Sequence, residues 1–153
     1  MILTQDMIDL LDLFHKHQVH YALVGGLAVN VYGYTRSTQD IDLLLLPSPQ
    51  NAEKVVAALE AFGFGKGGVD PSLFQSPGQV VHLGVEPNRI DLLTSLNGLD
   101  TETIFSHLNR IDLQGRICPI ISLEDLLVIK KASPRLKDRA DAEELEQINQ
   151  ALS

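Results

Sequence analysis

The chain has 153 residues, 44% of them hydrophobic and 21% charged, a balance that suits one soluble globular domain, 1–153, with a sizeable core. The formal net charge of −8 argues against non-specific nucleic-acid binding, which is largely electrostatic, although five of the twelve Lys and Arg residues fall between Lys130 and Arg139. No apolar stretch approaches the roughly 20 residues of a membrane helix. The N-terminus MILTQDMIDLLDLF carries Asp6, Asp9 and Asp12 and lacks the basic region of a secretory signal. One cysteine, Cys118, permits no intrachain disulfide, so a cytoplasmic location is expected.

Thr4 to Lys16 has helical spacing, with Met7, Leu10, Leu11 and Phe14 on one stripe and Thr4 placed to cap it. Tyr21 to Val24 reads as a short apolar strand ending at Gly25-Gly26, and Leu27 to Tyr32 as a short helix closed near Gly33. Ile41 to Leu46 is a continuous apolar run stopped by Pro47, as in a buried strand. A helix then runs from Ser48 or Pro49 to about Phe62, with Val55, Val56, Leu59 and Phe62 inward. Gly63 to Gly78 is rich in glycine and proline and reads as loop. Val80 to Val85 and Arg89 to Leu93 form two strands around Glu86-Pro87-Asn88. Leu96 to Thr103 reads as loop, Ile104 to Leu108 as a helical turn, and Arg110 to Leu113 with Arg116 to Ile120 as a hairpin around Gln114-Gly115. Two C-terminal helices, within 122–153, complete the chain: one from Ser122 to Ala132, the other from Lys137 to Leu152. Strands and helices alternate early and hairpins follow, which predicts a mixed sheet with helices packed on it.

Asp40 and Asp42 stand at the head of the apolar run. On a strand, residues i and i+2 share a face, roughly 6.5–7 Å apart. Two ionised carboxylates there repel unless a cation lies between them, and Mg²⁺ favours carboxylate oxygens together with water and phosphates. Read alone, such a pair also occurs at turns and strand starts. Asp91, inside the apolar RIDLL, completes a three-carboxylate cluster if its strand neighbours Asp40 to Leu46. Equally, it could be an edge-strand acid paired with Arg89. Gly25-Gly26, between strand and helix, allows a sharp turn and close backbone approach to a phosphate, though any tight turn favours glycine. The histidines form no metal set: His15, His17, His20 and His107 read as surface residues, and His82 meets the cluster only if strand order permits. Cys118 reads as core, and Tyr32 and Tyr34 more simply as packing than as a base-stacking platform.

Together, an apolar residue and Gly25-Gly26, thirteen intervening residues, Asp40-Ile41-Asp42-Leu43 and a later Asp91 resemble the signature of the nucleotidyltransferase superfamily related to DNA polymerase β. The resemblance implies an α/β (α+β) fold with the mixed sheet of a polymerase β palm. It implies a glycine turn that cradles a triphosphate, and Asp40, Asp42 and Asp91 as ligands of two Mg²⁺ ions. Many members have Gly-Ser where this chain has Gly25-Gly26, so only backbone donors are available at Gly26. Arg36 to Asp42, RSTQDID, is similar to the R-x-T-x-D-I-D form of small bacterial AbiEii-like nucleotidyltransferases. Lys130, Arg135, Lys137, Asp138 and Asp141 resemble that branch's ending, and the likeness runs from about Tyr21 to Leu145.

The function so implied is transfer of a nucleoside monophosphate from an NTP to a hydroxyl acceptor, with release of pyrophosphate. Gly25, Gly26, Arg36, Thr38, Lys130 and Lys137 are the expected nucleotide contacts, and Asp91 is expected to help deprotonate the hydroxyl. Arg36 suits phosphate bidentately, and Lys130 would offset charge on the leaving pyrophosphate. Lys130 and Lys137 could also be solvated helix-end lysines, as Lys131 is read, and Asp138 and Asp141 first-turn acids. The acceptor is open between tRNA, protein and small molecule, the last including lincosamide and aminoglycoside antibiotics. With only two terminal helices to grip it, a homodimer or a partner protein would complete the acceptor site. The alternative is a non-catalytic module that binds nucleotide without transfer, or an antitoxin-like partner in a two-component toxin–antitoxin system.

Overall fold

The computed structural model describes residues 3–34 and 39–152. Thr4 caps α1 (Gln5–Lys16), its hydroxyl accepting a hydrogen bond from the Met7 amide at 3.2 Å, and the stripe of Met7, Leu10, Leu11 and Phe14 is buried. Six strands form one sheet: β1 (Tyr21–Val24), β2 (Ile41–Leu45), β3 (Val80–Leu83), β4 (Ile90–Leu93), β5 (Asn109–Leu113) and β6 (Arg116–Ile120). Their spatial order is β3-β4-β2-β1-β6-β5. β1 and β2 are antiparallel, β4 runs parallel to β2, β6 runs parallel to β1, and β3 and β5 close the two edges as antiparallel hairpin partners. The sheet is mixed, as alternating helices and hairpins predict. The central strands β1 and β2 hold the most apolar runs because they are covered on both faces.

Between β1 and β2 lies α2 (Gly25–Val31), which starts at the glycines themselves rather than at Leu27. α3 (Pro49–Leu59) begins with the Ser48 hydroxyl accepting from the Asn51 amide at 3.0 Å. It stops three residues earlier than expected and widens into a turn over Glu60–Phe64, where Gly63 takes a φ of 141°. Its inner face consists of Ala52, Val55, Ala58 and Leu59, while Val56 and Phe62 are half-buried. The small side chains let α3 lie close to α1.

The long glycine-rich connection is not all loop. Asp70 caps a tight turn, Pro71–Phe74, that drives Phe74 into the core at 1% exposure and so anchors the segment. Another departure is α4 (Thr101–Ser106), which starts before Ile104 because Asp100 caps it, accepting from the Thr103 amide at 3.3 Å. α5 (Leu123–Ala132), capped by Ser122, and α6 (Leu136–Leu152) pack on each other at the C-terminus. Cys118 is buried, as read from the sequence. No described helix is long and apolar enough to cross a membrane.

Candidate functional site

One row of paired residues crosses four strands. Val24 on β1 faces Asp42 on β2, Asp42 faces Asp91 on β4, and Asp91 faces His82 on β3. Partners in register project to the same side of a sheet, so this row brings Asp42, Asp91 and His82 together. Parallel pairing of β2 with β4 is the step that joins two acids 49 residues apart in sequence. Asp40 sits just before β2, its Oδ1 accepting the Arg89 amide at 2.8 Å, and the Ile41 amide donates to the Arg89 carbonyl at 3.1 Å.

Gly25 follows β1 with a φ of +69°, and a Cβ built on it would lie 2.0 Å from Asp42 Oδ2. Both the left-handed backbone and the missing side chain are therefore needed for the turn to pass beside the carboxylate. Gly26, the next residue, is buried at the start of α2.

The two facing acids have opposite electrostatic surroundings. Burial, reinforced by the neighbouring charge of Asp91, pushes the Asp42 carboxyl up to about 6. Burial acts the same way on Asp91, but hydrogen bonds and charges from Arg89 and His82 outweigh it and hold that carboxyl below the usual range. Arg89 grips Asp91 in two places, Nε to Oδ1 at 2.7 Å and Nη2 to Oδ2 at 3.1 Å, and His82 Nδ1 meets Oδ1 at 2.6 Å. Asp91 thus pairs with Arg89, yet on an interior strand rather than the edge strand that reading supposed, and it faces Asp42 on the neighbouring strand.

A cleft of about 720 Å³ opens over this row. Asp40, Asp42, Asp91, Gly25 and Gly26 line one wall, and Lys130, Arg135, Lys137 and Asp138 line the other. Apolar side chains, Ile121, Leu126 and Ile129 among them, also line it. Lys130 is buried, with Nζ 3.0 Å from Asp138 Oδ1 and 3.2 Å from Asp141 Oδ2. Burial raises the Asp138 carboxyl, but hydrogen bonds from Ser133 and Lys130 win and hold it low. Lys137 is exposed in the cleft mouth and makes no ion pair among the described residues. Arg36 and Thr38 lie outside the described residues. Lys131, read as solvated, pairs on the surface with Glu146.

As the side chains are oriented, no group of three or more His, Cys, Asp or Glu among the described residues could hold a metal ion. Asp40 bonds the Arg89 amide and Asp91 is held by Arg89 and His82. The donor chemistry nonetheless fits a hard cation. Three carboxylates line one cleft, and the charge of Asp91 that adds to burial in raising Asp42 is what a divalent ion would relieve.

Sequence reasoning names Arg89 only as a rival partner for Asp91 and leaves His82 conditional. The Arg-x-Asp spacing is a usable signal, since i and i+2 share a strand face. For His82 the signal is the hairpin, but the connection spans residues 84–89 rather than three, and only the observed register sets His82 against Asp91.

A mixed sheet carrying acids on adjacent strands, beside a glycine turn leading into a helix, defines the fold of the polymerase-β-like nucleotidyltransferases. Residues 3–153 match the model of a family described as nucleotidyl transferase of unknown function (DUF2204), and the chain belongs to that family. A search of curated proteins found no match to the sequence. Among solved structures, the lincosamide antibiotic adenylyltransferase LnuA, bound to lincomycin, is similar with a TM-score of 0.58 and 20% identity, over 95% of this chain and 98% of that one. The antibiotic-resistance factor ANT(2'')-Ia is similar with a TM-score of 0.54 and 15% identity, over 96% and 89% of the two chains. A putative nucleotidyltransferase from Thermotoga maritima gives 0.52 and 14%, over 95% and 94%. These likenesses establish the fold.

Proposed function

We propose that the protein is a Mg²⁺-dependent nucleotidyltransferase that moves a nucleoside monophosphate from an NTP to a hydroxyl of a small acceptor. The observation that carries this reading is the Asp42–Asp91 pair on neighbouring strands, beside a Gly25 that tolerates no side chain. Asp40, Asp42 and Asp91 would hold the metal, which when bound neutralises the triphosphate and polarises the hydroxyl. Backbone amides at Gly25-Gly26 would receive phosphate oxygens, with Arg36, Thr38, Lys130 and Lys137 as further nucleotide contacts. The acceptor oxygen forms a bond to the α-phosphorus as the bond to pyrophosphate breaks. The hydroxyl proton passes to Asp91, the acid of the row that faces Asp42. Phosphoryl transfer asks of a protein mainly positioning and charge stabilisation, which this wall can supply.

A small acceptor is favoured over tRNA or protein for two reasons. The cleft, about 720 Å³, is of the size that holds small ligands. LnuA and ANT(2'')-Ia, whose structures contain lincomycin and adenylyl-2''-tobramycin respectively, match this chain over nearly their whole length, so such chemistry needs no large appended domain. Within the superfamily we place the chain beside the R-x-T-x-D-I-D branch, on Arg36 to Asp42 and on Lys130, Arg135, Lys137, Asp138 and Asp141. The test is transfer of labelled nucleotide from ATP, CTP, GTP and UTP to lincosamides, aminoglycosides and a cell extract, with and without Mg²⁺. Label should move only with Mg²⁺ and not in Asp42→Ala. Nucleotide binding by thermal shift without any transfer would instead support the non-catalytic module, and full activity in Asp42→Ala would sink the assignment.

A further inference from the structure

Arg89 touches two of the three cleft acids at once. Its backbone amide donates to Asp40 at 2.8 Å, and its guanidinium engages both oxygens of Asp91, at 2.7 and 3.1 Å. A third contact, Nη1 to Glu86 Oε1 at 3.4 Å, draws the guanidinium toward the outer part of the cleft. The side chain is 27% exposed, so it can leave Asp91 without unpacking the core. A bidentate guanidinium matches a carboxylate in charge and shape, and with His82 also on Oδ1 it occupies lone pairs that a metal would use.

We propose that Arg89 is a positioning residue with two faces: its backbone fixes Asp40 permanently, while its guanidinium serves as the resident cation of Asp91 and yields that carboxylate when a divalent ion enters. The inference rests on the metal-dependent reading above. In the cation-free protein the charge of one of three crowded carboxylates is thereby offset, and entry of the ion is coupled to movement of one arginine. Glu86 marks where the released guanidinium would rest. From there it faces the cleft, where the triphosphate of the incoming nucleotide is expected.

Two measurements test this without using activity. In the intact protein, the ¹⁵N Nε–H resonance of Arg89 should shift and exchange faster with solvent as Mg²⁺ is titrated to saturation. A resonance that stays in place while Mg²⁺ binds overturns the proposal. In Arg89→Gln, Mn²⁺ affinity without nucleotide, read by electron paramagnetic resonance, should rise about fivefold or more, because a competing charge is gone. Arg89→Lys should fall between Arg89→Gln and the parent chain. Unchanged or weaker Mn²⁺ binding in a folded Arg89→Gln would refute the arginine's role while leaving the enzyme reading intact. A parent chain that binds neither cation, with or without ATP, would refute both.

Discussion

At the scale of single residues, Asp42 is the position where stability and chemistry pull apart. Its carboxyl is half-buried against Gly25 and faces Asp91, and its folded-state value of about 6 lies above the ordinary 3.8. The folded chain therefore binds more protons than the unfolded chain between these values. Stability contributed by this group is present at low pH and is lost as pH rises from about 4 to about 6. Asp42→Asn removes the charge without changing shape. It should raise the stability of the cation-free protein at pH 7.5 by roughly 2 kcal/mol and flatten the loss between pH 4 and 6, while abolishing transfer. Denaturant melts across that range would check it, and a variant less stable than the parent at pH 7.5 would mean that the ionised Asp42 carboxylate is not a destabilising charge. Asp91 shows the converse arrangement, an acid of the same row kept ionised by two neighbouring donors.

Among elements, α3 is tied to the sheet by a residue that hydrophobic patterning passes over. Asn51 is 1% exposed and its side-chain amide bonds three backbone groups: it donates to the carbonyls of His20 and Leu46, both at 2.9 Å, and accepts the His20 amide at 2.8 Å. These groups lie before β1 and after β2, so one side chain clamps the ends of both central strands. Asn51→Leu should cost about 3 kcal/mol, since three buried backbone groups would lose their partner. A chemical-denaturation curve would measure it, and a loss under about 1 kcal/mol would mean that water replaces the amide. Much of the element pattern is legible because its signals are local. Tyr21–Val24 and Arg116–Ile120 match the sequence reading to the residue, and Thr4, Ser48 and Ser122 cap the helices they precede, as their types favour. Phe74 and the start of α4 escape that reading for a physical reason: a short turn buries one aromatic without periodicity, and six helical residues show too few repeats to fix where the helix begins.

Across the whole molecule, the cleft depends on how α5 and α6 sit over the sheet, and Lys130 joins them. Its ammonium is buried between Asp138 and Asp141, with Ser133 also bonded to Asp138 at 2.7 Å. Lys130→Met would remove the buried cation that Asp138 and Asp141 share, with the exposed Arg135 still 3.9 Å from Asp138. The expected result is a loss of about 3–5 kcal/mol, with α6 loosened from the core. Hydrogen exchange should show that loosening, with α6 amides exchanging faster than those of β1 and β2. Uniform protection would show that Lys130 does not hold α6 to the core. The sequence suggests a phosphate-facing lysine at this position; the fold adds an architectural duty, because the carboxylates that pair with it come from the following helix.

Residue order alone determined the strands, most helices, the glycine turn and the identity of the three acids, because caps, periodicity and turn chemistry act over a few neighbours. Only the tertiary structure decided that β4 lies parallel to β2, and so that Asp91 faces Asp42 rather than solvent. It also decided that His82 meets Asp91 from the next strand, and that Lys130 lies between two aspartates of another helix. Such pairings depend on strand order and register, which are chosen by burial of the whole apolar surface and leave no mark in any short stretch of chain.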